Sequence, residues 1–213
     1  GLTEEERRRH VYFLGATGTG KTTLLLSMIN QDIQHGKGVC LIDPHGDLAE
    51  SLLPLIPKNR MKDVIYFNPD DSDYPIALNL LEVPKSSGAE NLRDQEFITE
   101  SIISLFNKLY PDHTARPRME YILRNTIYTA FLTPNPTIFT ILKLLVDAPF
   151  RRIVVKHLAT LPDKNLYNFW KYEFNKAGDY QKVSMIMPIT NKIGRFQFSP
   201  TAKGILEQEK SKI

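Results

Sequence analysis

Gly15-Ala16-Thr17-Gly18-Thr19-Gly20-Lys21-Thr22 spells G-x-x-x-x-G-K-[ST], and its flanks decide how it reads. Upstream, His10–Leu14 (H-V-Y-F-L) is a short β-rich apolar run that predicts a buried strand. Downstream, Thr22–Asn30 (T-T-L-L-L-S-M-I-N) has a helix-like apolar face and no Gly or Pro. Strand, glycine loop, helix is the context in which this pattern cradles phosphates. The glycines let successive backbone N–H groups turn inward, and the positive end of the helix dipole faces the same anion. Lys21 is predicted to reach the β- and γ-phosphates of ATP or ADP, and Thr22 to place its hydroxyl on Mg²⁺. Gly15, Thr17, Gly18, Thr19, Gly20 and Thr23 complete the predicted loop around the nucleotide, with Lys21 and Thr22 as its catalytic members.

Outward from the loop, Gly36-Lys37-Gly38 predicts a helix C-cap and turn. Val39–Ile42 predicts a second buried strand, ending in Asp43-Pro44-His45-Gly46-Asp47. Asp47 and Glu50 open a further helix, Leu48 to Ile56, and Val64–Phe67 reads as a third strand before the acidic turn Asn68–Asp73. Tyr74–Val83 reads as an extended link. This alternation predicts a parallel α/β sheet with right-handed crossovers. From Glu90 the period changes. Ile98, Ile102, Leu105, Phe106 and Leu109 share a helical stripe, as do Met119, Ile122, Leu123, Ile127, Ala130 and Phe131. Thr137–Val146, the stripe Leu166, Phe169, Trp170 and Phe174, and Tyr180–Ile193, kinked or ended near Pro188, add three more helices. The expected organisation is an α/β nucleotide-binding core over 1–89, an all-α lobe over 90–200, and a return toward the core over 201–213.

Composition sets the outer bounds. At 213 residues with 42% hydrophobic and 24% charged side chains, the chain is of ordinary globular type. Cys40 has no cysteine to pair with, which excludes an internal disulfide, and its apolar neighbours place it in the core. No stretch approaches the ~20 apolar residues of a membrane helix. Residues 1–109 hold 11 basic and 16 acidic side chains, residues 110–200 hold 13 and 6. A basic second half beside a nucleotide site points to a polyanionic partner. At the N-terminus, Thr3-Glu4-Glu5-Glu6 reads as the capping box of a short exposed helix or, with Arg7-Arg8-Arg9 after it, as a solvated charged turn, the reading the composition favours.

The loop G-A-T-G-T-G-K-T followed by L-I-D-P-H-G-D-L (Leu41–Leu48) resembles the HerA–FtsK superfamily of DNA-pumping ATPases, within it the type IV secretion and conjugative coupling branch. Leu2–His10, Tyr74–Leu81, Arg116–Glu120 and Asn191–Phe196 are similar too, so the resemblance spans nearly the whole chain. It implies a RecA-like P-loop sheet with an all-α lobe, ATP or ADP with Mg²⁺, a homo-hexameric ring, DNA as a non-specific partner and membrane-bound secretion machinery nearby. It also implies a cytoplasmic location at the inner face of the cell membrane. In that family the Mg²⁺ carboxylate and catalytic glutamate end a later strand. No apolar run after Asp43 ends in Asp-Glu, so the chain reads as the N-terminal portion of a longer ATPase, inactive alone. Asp43 ends the second predicted strand 22 residues after Lys21, and it stands open as an Mg²⁺ ligand, a group at the site's edge, or a turn cap. Arg116, Arg118 and Arg124 are the candidate nucleic-acid contacts, and Arg118 or Arg195 a candidate arginine finger. The alternatives are a secretion ATPase acting on protein cargo, a small nucleotide kinase, and a nucleotide-binding module without turnover.

Overall fold

The computed structural model describes residues 3–84, 87–109 and 116–212, with the side chains of Glu4 and Arg116 outside the described part. Leu2, in one of the stretches quoted above, also lies outside it. The chain divides into two compact units, Gly1–Tyr66 and Phe67–Ile213.

In the first unit, α1 (Glu4–Arg7) forms rather than a charged turn, and it starts at the capping box: the Glu6 amide donates to Thr3 Oγ1, and the Thr3 amide to Glu6 Oε2 at 2.7 Å. The loop opens directly into α2 (Lys21–Gln34). That helix closes as its glycine requires: Gly36 takes φ 78°, its amide donates to Ile33 O, and the Lys37 amide to Asp32 O. Arg60 Nη1 donates to the Ile33 and Lys37 carbonyls at the same end, at 2.8 and 3.0 Å. A short α3 (Asp47–Leu52) runs into 3₁₀ turns at Leu53–Leu55 and Lys58–Asp63.

The expected parallel α/β sheet is not there. Among the described residues no strand forms, and His10–Leu14, Val39–Ile42 and Val64–Phe67 are irregular chain. Tyr12 is 84% and Ile42 87% exposed. A strand of a parallel sheet needs hydrogen-bonded neighbours and helical cover on both faces. Here α2 buries no residue, and Leu48 and Leu52 are the only buried residues described in this unit. Strand propensity without a packed layer does not make a strand. The same deficit corrects Cys40, expected in the core and found exposed.

The second unit is helical: α4 (Ala89–Leu109), α5 (Arg116–Ala130), α6 (Ile138–Val146), α7 (Ala148–Leu158), α8 (Asn165–Asn168) running into a π-helical turn at Phe169–Phe174, α9 (Asp179–Phe198) and α10 (Pro200–Leu206). Of the expected α4 stripe, Ile102 and Phe106 are buried and Ile98 is partly so, while Leu105 and Leu109 are each 40% exposed and Ile103 takes a core place instead. With the α5 stripe, α6, the π turn and α9 they form one core around Ile122, Ile127, Ile141, Leu144, Trp170 and Ile189. Trp170 is fully buried, and its indole N–H donates to Thr129 Oγ1 at 2.8 Å. Phe169 and Phe174 stand edge-on or tilted to it and to each other. Those aromatics are core. Helix α7 was not read from the sequence, although Asp147-Ala148-Pro149 is a start signal: the Asp147 carboxylate caps the Phe150 amide at 2.9 Å. Helix α9 continues through Pro188, because Ile189 and Ile193 bury completely on its inner face. Asn79 joins the link to the tail: its side-chain amide donates to Pro136 O and Glu209 O, and its backbone N–H to Ser211 Oγ.

Candidate nucleotide-binding loop

The loop's shape follows from three glycines. Gly18 and Gly20 take φ 83° and 87°, left-handed conformations that side chains disfavour. At Gly15 the limit is space: a Cβ there would lie 2.6 Å from Thr19 Oγ1. Thr19 Oγ1 donates to Ala16 O at 2.8 Å and ties the turn together. Lys21 Nζ folds back over the loop and donates to Gly15 O and Ala16 O at 2.7 and 2.8 Å.

Helix α2 begins at Lys21 with Gly20 as its N-cap, and no side chain caps it. Its first i→i−4 bond is Leu24 N–H to Gly20 O, so the amides of Lys21, Thr22 and Thr23 precede the helical ladder. No acidic residue stands in the first turn to neutralise that end. Residues Gly15–Gly20, Thr22 and Thr23 are exposed. The arrangement presents N–H donors, one helix dipole and one ammonium group to an anion of phosphate geometry.

Asp43 is committed to its own turn. Oδ2 accepts from the Leu48 and Ala49 amides at 2.8 and 3.1 Å, and Oδ1 from the His45 amide at 3.2 Å. These bonds, the Ala49 amide first, hold its carboxyl below the usual aspartate range. The Asp43 carboxylate therefore caps the first turn of α3. No group of three or more His, Cys, Asp or Glu side chains suited to a metal ion occurs among the described residues.

Of the three candidate arginines on α5, the side chains of Arg118 and Arg124 are described. Arg124 pairs with Glu100 of α4, which raises its pKa further. Arg118 is exposed and lines a cavity beside α9. Six positions separate the two, so they point about 120° apart around α5. The Arg116 side chain lies outside the described residues. One pairing was invisible to sequence reading: Arg7 forms a two-pronged ion pair with Asp32, across 25 residues and two helices. The guanidinium, mainly by hydrogen bonding, lowers the Asp32 pKa.

The family model described as the helicase HerA central domain matches residues 5–212, nearly the full chain. The chain belongs to that family. It therefore stands with the ATPases of the HerA–FtsK type. Such ATPases bind nucleotide and commonly form hexamers. Comparison with curated proteins and with solved structures found no match. The loop fits the nucleotide that the family implies: Gly15 has no room for a Cβ, and the amides at Lys21–Thr23 lie outside the helical ladder. No described helix is long and apolar enough to cross a membrane.

Proposed function

We propose that the chain is the ATP-binding part of a ring-forming ATPase that moves DNA, of the kind that serves conjugation or type IV secretion. The observation that carries it is the Gly15–Thr22 loop opening into an uncapped α2 with no acid in its first turn. Gly15, Thr17, Gly18, Thr19 and Gly20 would wrap the phosphates with backbone amides, and Lys21 would exchange its loop carbonyls for phosphate oxygens. Thr22 would hold Mg²⁺, with Thr23 beside it. ATP supplies the phosphoryl bond whose cleavage drives the cycle in a family of this type. Asp43 supports the loop that follows, from its place at the α3 cap.

Calorimetric titration with ADP and Mg²⁺ tests the assignment. Lys21→Ala is expected to weaken binding at least about tenfold, as a charge-assisted contact to phosphate is worth ~1.5–3 kcal/mol. Equal affinity in both proteins overturns it. The isolated chain is expected to turn over ATP very slowly, since its one carboxylate at the end of the second apolar run is spent on amides and an arginine finger alone is worth ~10³-fold or more. A turnover near one per second, lost in Asp43→Ala, would make Asp43 the metal ligand instead.

The DNA half of the reading rests on the basic balance of residues 110–200 and on exposed cations such as Arg152, Lys156, Lys171 and Arg195. Spread over a folded surface, these would meet only three or four phosphates at once. The expected salt slope for single-stranded DNA is about −2 to −3, with weak affinity until a ring sums the contacts.

A further inference from the structure

A cavity of about 330 Å³ lies in the second unit where α5, the π-helical turn and α9 meet. A second, of about 240 Å³, adjoins it and shares Arg118, Gln181 and Met185. Together they form one groove. Its floor is apolar, built from Ile122, Phe169 and Met185. Two cations face it. Arg118 makes no hydrogen bond or ion pair among the described residues, and Lys176 sits against the Tyr172 ring at 5.2 Å rather than against a carboxylate. At its wall Tyr121 donates its hydroxyl to Glu173, with Oη 3.0 and 3.1 Å from the two carboxylate oxygens. Tyr180, 88% exposed, stands at the rim. Glu173 lies in the π turn and Lys176 two residues after its end, and such turns recur at functional sites.

We propose that this groove is a docking site for a peptide segment that places a carboxylate beside an apolar side chain. Two cations with no carboxylate partner among the described residues call for an anionic ligand, and Arg118 offers the fork that matches a carboxylate. The apolar floor calls for an aliphatic or aromatic group next to that anion. Glu173 decides between the polyanion and the peptide. Its fixed negative charge inside the groove repels a continuous phosphate backbone, whereas a single carboxylate can take the cationic end and leave Glu173 to accept a peptide N–H. The proposal is independent of the nucleotide loop, so failure of either leaves the other standing.

Fluorescence anisotropy on the full 213-residue chain tests it without nucleotide, using a labelled octapeptide of Gly and Ser that carries one Glu-Leu pair. Controls are the same octapeptide with Gln for Glu, and labelled (dT)₈. The Glu-Leu peptide is expected to bind, and its Gln analogue to bind at least about tenfold more weakly, as expected for charged hydrogen bonds. Arg118→Gln and Lys176→Gln should each weaken the acidic peptide severalfold with an unchanged far-UV spectrum, and Lys203→Gln, at a residue of α10 paired with Glu207, should leave it unchanged. Glu173→Gln should strengthen it, since it removes a like charge and keeps an acceptor for Tyr121. Binding that ignores Arg118→Gln, equal binding of the Gln peptide, or no binding of the acidic peptide overturns the proposal. Tighter binding of (dT)₈ with the same dependence on Arg118 also overturns it and makes the groove a nucleic-acid site.

Discussion

Residues 1–66 and residues 67–213 have similar apolar runs and opposite fates. In the first unit Val11, Tyr12, Leu14, Val39, Ile42, Val64 and Ile65 stay exposed, and among the described residues only Leu48 and Leu52 are buried. In the second, stripes of the same residue types close on each other until Ile122, Leu123, Ile127, Ile141, Leu144 and Trp170 lose all or nearly all contact with water. A helix can satisfy its own backbone and needs only one face covered. A strand needs partners for its backbone and cover on both faces. The comparison teaches that apolar content sets a demand for burial, and that only the surrounding architecture meets it. The Gly15–Thr22 loop sits in the thinly packed unit, where local glycine geometry and α2, rather than a core, give it shape.

The sharpest way to break this comparison is to unfold both units at once. Trp170 is the only tryptophan and lies in the second unit's core, so its fluorescence reports that unit alone. Far-UV dichroism reports both. In a urea titration the dichroism should begin to fall well before the fluorescence shifts, because apolar burial is what resists denaturant. Coincident curves would mean that the two units fold as one. Truncation sharpens the same contrast. Leu144→Ala should cost about 2–5 kcal/mol in the fluorescence-detected transition. Leu24→Ala, at a 46% exposed position of α2, should stay within about 0.5 kcal/mol.

Smaller effects probe single bonds. Thr129→Val leaves the buried Trp170 indole N–H without its acceptor and should cost about 1–3 kcal/mol. Gly15→Ala should displace Thr19 Oγ1 and weaken ADP binding, with the fluorescence transition unchanged. A parallel loss in the second unit's stability would contradict the independence of the two. The smallest effect is a titration. The Asp43 pKa is lowered in the folded chain, so its contribution to the α3 cap is present above the unfolded aspartate pKa of about 3.9 and is lost as pH falls through the lower folded value. Amide exchange of Leu48 and Ala49, corrected for intrinsic rates, should accelerate only below that range. Acceleration already near pH 5 would contradict the capping bonds.

Some of this molecule was legible one residue at a time. The glycine loop, the Gly36 C-cap and the α4 and α5 stripes each encode their structure within a few positions. Backbone conformation and helical period are local, so local pattern suffices. Non-local pairing was illegible: nothing in spacing links Arg7 to Asp32, Arg60 to the end of α2, Tyr121 to Glu173, or Arg124 to Glu100. That last pair removes Arg124 from the free cations and leaves Arg118 facing a groove, a distinction that charge counting cannot make.

By itself the sequence determined where the glycines let the chain bend, where α2 ends, and that Lys21 follows the glycine loop directly. Tertiary structure alone decided whether the apolar runs became strands, which cations stayed free, and where a cavity opened. The physical reason is that φ preferences and hydrogen bonds over three or four residues are set by neighbours in the chain. Burial and charge pairing depend on neighbours in space, and a run such as Val39–Ile42 carries no record of what will cover it.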